Sequence, residues 1–200
     1  MHINRAFFVC LLFIWKLKGE VASTKPDTNF PYTLKFQSSV PQIHKYDVFV
    51  SFRGPDIRDV FLPHLIKAFS QKKIVYFVDY KLTKGNEISQ SLFEAIETSL
   101  ISLVIFSQNY ASSSWCLDEL VKVVECKEKD GNILLRVFYK VDPTIVRHQN
   151  GTYADTFAEH EQKYDSTVVQ RWRSALKKPA NINGIHTLLN LEEIFQFECL

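Results

Sequence analysis

Glycine is scarce in this chain. Its six residues in 200 are spread so that no pair makes G-x-G-x-x-G and none sits in a P-loop. A nucleotide held on either kind of glycine-rich turn is therefore disfavoured. No G-x-S-x-G occurs, which removes the serine elbow of an α/β-hydrolase. The four cysteines, Cys10, Cys116, Cys126 and Cys199, lack the short paired spacings of a zinc site and read as reduced thiols of a cytosolic protein. The histidines (His2, His44, His64, His148, His160 and His186) show no metal-ligand spacing, so no metal is expected. Positive charge is also not in surplus, with 24 Lys and Arg against 22 acids. Residues 1–45 hold six of the bases and two of the acids, which leaves 18 against 20 beyond. The remainder thus carries no basic footprint, and no nucleic-acid partner is expected.

What is present supports one ordinary domain with extensions. The apolar fraction is 46%, with sixteen Phe and eight Tyr, enough for a substantial core. Residues 1–44 read as a hydrophobic leader and linker. Ala6 to Trp15 is an apolar run of ten, short of the roughly 20 residues that span a bilayer, so no stable membrane span is expected. The run suits the h-region of a secretory signal with Val21-Ala22-Ser23 as its cleavage site. Lys16 and Lys18 between the two are unusual for a signal, and the composition of the rest favours the cytoplasm. Three prolines and many Ser, Thr and Gln mark residues 24–44 as linker.

From Tyr46 onward, strand and helix patterns alternate. Tyr46–Phe52, Ile74–Val78, Ile101–Phe106 and Ile133–Tyr139 are nearly continuous apolar runs, as expected for strands covered on both faces. Between them, Ile57, Phe61, Leu65 and Phe69 form one helical stripe, and Ile88, Leu92, Ala95, Ile96 and Ser99 the next. Pro63 interrupts the first stripe and predicts a kink or a later helix start, because proline inside a helix costs about 3 kcal/mol. Two further helical stretches lie near Tyr153–Tyr164 and Val168–Leu176. This order implies a parallel, doubly wound α/β sheet with helices on both faces. Ligands gather at the carboxyl ends of such strands, here the loops Phe52–Asp56, Asp79–Glu87, Ser107–Ser114 and Lys140–Gln149. Ser107 stands where a phosphoacceptor domain would need an aspartate. Ser51, Arg53 and Asp56 could equally be turn chemistry, with Asp56 placed to cap the following helix.

The third loop leads into its helix through Ser112-Ser113-Ser114-Trp115-Cys116-Leu117-Asp118-Glu119-Leu120. The serines offer oxygens to cap free amides, and Leu117, Leu120, Val121 and Val124 fall on one buried face. Glu119 lies off that face with Trp115 one turn above it. Spacing therefore predicts an aromatic ring and a carboxylate on the exposed side of a first helical turn, where the dipole favours a negative charge. Such a pair could grip a flat cation; an ordinary solvated glutamate fits the same spacing.

The residues also spell a known pattern. Tyr46-Asp47-Val48-Phe49-Val50-Ser51-Phe52-Arg53-Gly54 with Asp56 and Arg58 resembles the opening of a plant TIR (Toll/interleukin receptor homology) domain. Phe77-Val78-Asp79 with Leu82, Gly85 and Ile88 continues the match, as do Ala95–Ser99, Phe106–Ala111 and Trp115–Leu120. Phe138–Pro143 with Val146-Arg147, and Arg171-Trp172-Arg173 with Ala175-Leu176, complete it. The resemblance covers about residues 45–186 and implies a flavodoxin-like three-layer TIR domain of an intracellular disease-resistance receptor, here as a short chain with no nucleotide-binding or leucine-rich segment. Residues 187–200 are read as a divergent tail with a short last helix through Leu191, Ile194 and Phe195.

The resemblance further implies self-association, pairing with other TIR domains and cleavage of NAD+ with release of nicotinamide, giving ADP-ribose or cyclic products in immune signal transduction. NAD+ is then a substrate, and no cofactor is implied. The family's catalytic glutamate falls on Glu119. Trp115, Arg53, Gly54, Asp79 and Ser107 would contact substrate, Trp115 by stacking and Arg53 toward the phosphates or adenine side. The loop Asp79–Glu87 would reach a neighbouring subunit. Departures from the pattern are Tyr80 for a second acid, Arg136 for a proline, and Pro63-His64 for a Ser-His pair. A catalytically silent interaction module, adaptor or decoy, is the alternative.

Overall fold

The computed structural model describes residues 44–79, 90–181 and 187–189. Five strands make one parallel sheet: β1 (Tyr46–Phe52), β2 (Tyr76–Val78), β3 (Ser99–Ser107), β4 (Ile133–Tyr139) and β5 (Thr187–Leu189), in the order β2-β1-β3-β4-β5. The connecting helices are α1 (Gly54–Ile57), α2 (Leu62–Gln71), α3 (Gln90–Glu97), α4 (Ser114–Asp130), α5 (Pro143–His148), α6 (Thr152–Lys163) and α7 (Ser166–Asn181). A 3-10 turn at Tyr110–Ser112 precedes α4.

Strand period two divides the core. Val48, Val50 and Phe52 of β1 pack with Leu103, Ile105 and Val137 against Ile57, Phe61, Leu62, Leu65 and Phe69 of the α1–α2 segment. Phe49, Val104, Phe106 and Phe138 face the opposite layer, built from α3, α4, α6 and α7. β3 is central and buried at all nine positions, as a strand paired on both sides and covered on both faces must be. The expected three-layer α/β architecture is thus the one observed.

Pro63 acts as a start signal. The first stripe splits into α1 and α2, and α2 begins at Leu62 with Pro63 in its first turn, where the missing amide would have had no intrahelical partner. The stripe residues Ile57, Phe61, Leu65 and Phe69 are nevertheless all buried. Ser99, read as the end of a helical stripe, instead opens β3 and donates its hydroxyl to the Ala95 carbonyl at 2.6 Å. A short helix, α5, forms within the loop after β4, with Pro143 in its first turn and the Asp142 carboxylate accepting from the Thr144 amide at 2.7 Å. The expected tail from residue 187 contributes a fifth strand, with Leu188 in register with Phe138. Ile88, most of the Asp79–Glu87 loop, the leader and the last helix proposed through Leu191, Ile194 and Phe195 lie outside the described residues. No helix among the described residues is long and apolar enough to cross a membrane.

Candidate active site

The strand order reverses between β1 and β3, so connections leave their carboxyl ends in opposite directions and open a crevice there. Four segments meet at this edge: the end of β1, the end of β3, the 3-10 turn and the first turn of α4. Helix α4 starts where spacing placed it. The Ser113 hydroxyl caps it by accepting from the Cys116 amide at 3.3 Å, and Gly131 ends it in the left-handed region at φ 76°. Leu117, Leu120, Val121 and Val124 line its core face.

Glu119 is not on an open face. Its residue is only 4% exposed, because the first turn of α4 lies over the end of β1 and beside the 3-10 turn. Ser51 occupies the β1 position that shares Phe49's side of the sheet, the side α4 covers. Its hydroxyl donates to Glu119 Oε2 at 2.6 Å. Trp115, one turn before Glu119, donates its indole N–H to Oε1 at 2.9 Å. The fully buried Tyr110 hydroxyl lies 3.0 Å from Ser51 Oγ and donates to the Cys116 carbonyl at 2.9 Å. Burial disfavours the ionised carboxyl and pushes Glu119 up to about 8, against the opposing hydrogen bonds from Ser51 and Trp115. The charges of Asp79 and Asp118 add to the rise. Burial likewise raises the Cys116 thiol and the Tyr110 phenol, Tyr110 well above its ordinary value. Cys116 is thus an inert thiol, its sulfur 3.4 Å from the Phe52 carbonyl.

Beside this centre lies a second polar group. Arg53 donates from Nε to Ser112 Oγ at 2.8 Å and from Nη1 to Asp56 Oδ1 at 2.6 Å. Ser107 Oγ donates to the other Asp56 oxygen at 2.6 Å, and the Ser107 carbonyl accepts from Tyr153 at 2.8 Å. Asp56 therefore does not cap α1, which has no side-chain cap. It bridges the ends of β1 and β3. Gly54 is buried in the first turn of α1, where its carbonyl accepts from the Arg58 amide. Asp79 is half-buried just beyond β2, near enough for its charge to act on Glu119.

The edge thus gathers Glu119, Trp115 and Asp79 with Ser51, and joins Arg53 to Ser107 through Asp56. Ser51, which sequence reading set with Arg53 and Asp56 as possible turn chemistry, and Tyr110, which it gave no role, are the residues whose part the fold reveals. The period of β1 was the signal for Ser51; nothing local marks Tyr110. The fold holds His160 as a packing residue, its Nε2 2.8 Å from the Ala111 carbonyl and its ring against Trp172 and Tyr164. Cys116 and Cys126 are buried and free. Among the described residues no cluster of His, Cys, Asp or Glu could hold a metal ion.

Comparison with known proteins agrees with the architecture. The TIR domain family model matches residues 45–194. The chain is 45% identical over 150 residues to the disease resistance protein RPV1 of Vitis rotundifolia, covering 75% of this chain and 11% of that protein. It is 48% identical over 142 residues to the TMV resistance protein N of Nicotiana glutinosa, covering 70% and 12% respectively. The chain therefore spans about a ninth of the length of these relatives. Among solved structures, the TIR domains of the activated Roq1 resistosome, which directly recognises the pathogen effector XopQ, match with a TM-score of 0.64 and 51% identity. That match covers 70% of this chain and 87% of the other. Sheet order, family match and these relatives agree: the chain belongs to the TIR domain family and is related to the TIR domains of plant disease resistance proteins.

Proposed function

We propose that this TIR domain hydrolyses NAD+ at Glu119, releasing nicotinamide, and acts in cytoplasmic immune signalling when self-associated. The observation that carries the reading is one buried carboxyl group, held from both sides at the carboxyl edge of a parallel sheet, in the family's motif position. The chemistry needs little else. As the ribosyl C–N bond breaks, its electron pair goes to the pyridinium nitrogen, and nicotinamide leaves neutral without a general acid. Positive charge develops on the ribose, where an ionised carboxylate stabilises it. Water then adds, losing one proton, to give ADP-ribose. Trp115, Arg53, Gly54, Asp79 and Ser107 are the proposed substrate contacts. The Arg53 guanidinium already serves Ser112 and Asp56, which favours an orienting role for it. Assembly through the loop that begins at Asp79 would complete the cleft.

A silent adaptor that binds other TIR domains is the competing reading, favoured by how completely the Glu119 residue is enclosed. Nicotinamide release from NAD+ by the full chain at high concentration separates the two. The wild type is expected to release nicotinamide, and Glu119→Ala to lose at least about 100-fold in rate. Equal release by both would remove Glu119 from the mechanism, and release by neither would support the adaptor.

A further inference from the structure

Ser51, Tyr110, Glu119 and the Cys116 carbonyl form a continuous line of hydrogen-bonding groups inside the protein. The contacts run 2.6 Å from Glu119 Oε2 to Ser51, 3.0 Å from Ser51 to Tyr110 and 2.9 Å from Tyr110 to the Cys116 carbonyl. Each hydroxyl has one hydrogen to place, and only the last group, a carbonyl, must accept. With Glu119 ionised, Ser51 donates to the carboxylate, and Tyr110 donates to the carbonyl. With Glu119 protonated, the directions change. Trp115 N–H faces Oε1 at 2.9 Å, so Oε2 is the oxygen whose proton finds an acceptor, namely Ser51. Ser51 then turns its own hydrogen to the Tyr110 oxygen, and Tyr110 keeps its bond to the carbonyl. Neither state leaves a buried donor orphaned, although Ser51 and Tyr110 are both wholly buried.

We infer that Ser51 and Tyr110 are positioning residues for Glu119: a reversible hydroxyl relay that keeps the carboxyl group seated both as the acid and as the carboxylate. This rests on the proposed function for its purpose but not for its existence. In the resting site burial favours the acid. A cationic nicotinamide ring entering the crevice favours the carboxylate; the carboxyl proton passes to water in the crevice, and the Ser51 hydroxyl re-aims its hydrogen from Tyr110 to Glu119 without any heavy atom moving. Other titratable groups act on this centre. Asp79 beyond β2 and Asp118 on α4 disfavour the charged form. Cys116 on α4 and Tyr110 on the turn stay neutral, and the charges of Arg53 and Asp56 push the Cys116 thiol in opposite directions.

The relay makes a prediction that a purely structural role does not, because Ser51 bonds both states, the carboxylate more strongly, whereas Tyr110 supports only the acid. Ser51→Ala removes the donor to the carboxylate and also the weaker acceptor for the acid, so the Glu119 midpoint rises by the difference between a charged and a neutral hydrogen bond, about one pH unit. Tyr110→Phe leaves that donor in place but removes the acceptor for Ser51 when Glu119 is protonated. The midpoint then falls, by about half to one unit. The measurement is a carbon-13 NMR titration of the Glu119 carboxyl in the full chain, assigned with Glu119→Gln. Ser51→Thr, which keeps the hydroxyl, is expected to return the midpoint toward the wild type.

Opposite shifts establish the relay. Shifts of the same sign, or none, overturn it. If Ser51→Ala does not fold, the direction of the Tyr110→Phe shift decides alone. Nicotinamide release as a function of pH is measured on the same proteins. Opposed carboxyl shifts with no release in the wild type would sink the proposed hydrolysis while leaving the relay standing. Release whose acidic limb does not follow the carboxyl midpoints would overturn the relay's part in it.

Discussion

Replacing Glu119 by glutamine should change how the stability of this protein depends on pH, and the size of the change follows from the site. The carboxyl has an ordinary value of 4.5 and is pushed to about 8 in the fold, chiefly by burial. Between those values the folded chain holds a proton that the unfolded chain has released. Stability is therefore greatest below the lower value and is lost as pH rises through the upper one. Over the interval from about pH 5 to pH 7.5 the loss is roughly 3 kcal/mol from this group. For a chain of this size that is a fall of about 6–12 °C in Tm. His44, whose imidazole burial holds below its ordinary value of 6.5, works in the opposite direction, so the quantity to compare is the difference between two proteins. Glutamine keeps an oxygen to accept from Trp115 and presents its amide N–H to Ser51, whose own hydrogen turns to Tyr110, so Glu119→Gln is expected to fold. Chemical denaturation of both proteins across the interval gives the difference curve. Glu119→Gln should gain about 3 kcal/mol relative to the wild type from the acid to the neutral end. A flat difference would refute the argument, since it would mean the carboxyl ionises in the fold as it does in water.

Two further outcomes can be checked by denaturation. Gly131→Ala should cost about 1–2 kcal/mol, because the residue ending α4 sits at φ 76° and an added Cβ meets nothing within 4 Å; the loss is backbone strain alone. Asparagine there should cost less. Trp172→Phe should cost about 1–3 kcal/mol by removing the 2.6 Å indole donor to Asp118 Oδ1. Burial already raises the Asp118 carboxyl and this bond opposes the rise. The penalty should therefore be full at neutral pH and shrink in acid, where Asp118 is protonated; an equal penalty at both would assign the effect to packing.

Strands were the most legible part of the sequence because β1, β3 and β4 are covered on both faces, and such burial leaves uninterrupted apolar runs. β2 proved shorter than its run, since Ile74 and Val75 lie before the first residue that pairs. β5 was invisible: Thr187-Leu188-Leu189 is too short for any period to be read. Glu119 was legible as a position but not as an environment. Helical spacing says which residues share a face of α4; it does not say that β1 and the turn at Tyr110 close over the other face. That closure depends on Ser51, a polar residue at an inward position of an otherwise apolar strand, and the pairing of the two is a property of the tertiary fold. The same limit applies to Asp56. As a residue near a helix start it read as a cap, whereas its partners are Arg53 three residues back and Ser107 at the end of a different strand.

The all-parallel sheet also sets an order of events during synthesis. β1 has no hairpin partner next to it in the chain. Its longer ladder is with β3, where Val48 lies opposite Ile101, and Ser51 meets a carboxyl group 68 residues further along. A ribosome adding about 5–20 residues each second leaves β1 waiting roughly 3–14 seconds between the appearance of Ser51 and that of Glu119. Until β3 emerges from Ser99 onward, the edge of β1 that pairs with it stands open to other nascent chains and to chaperones. The centre around Glu119 therefore cannot close until β1, β2, β3 and the start of α4 have all appeared, and the yield of folded protein should depend on elongation speed as well as on final stability.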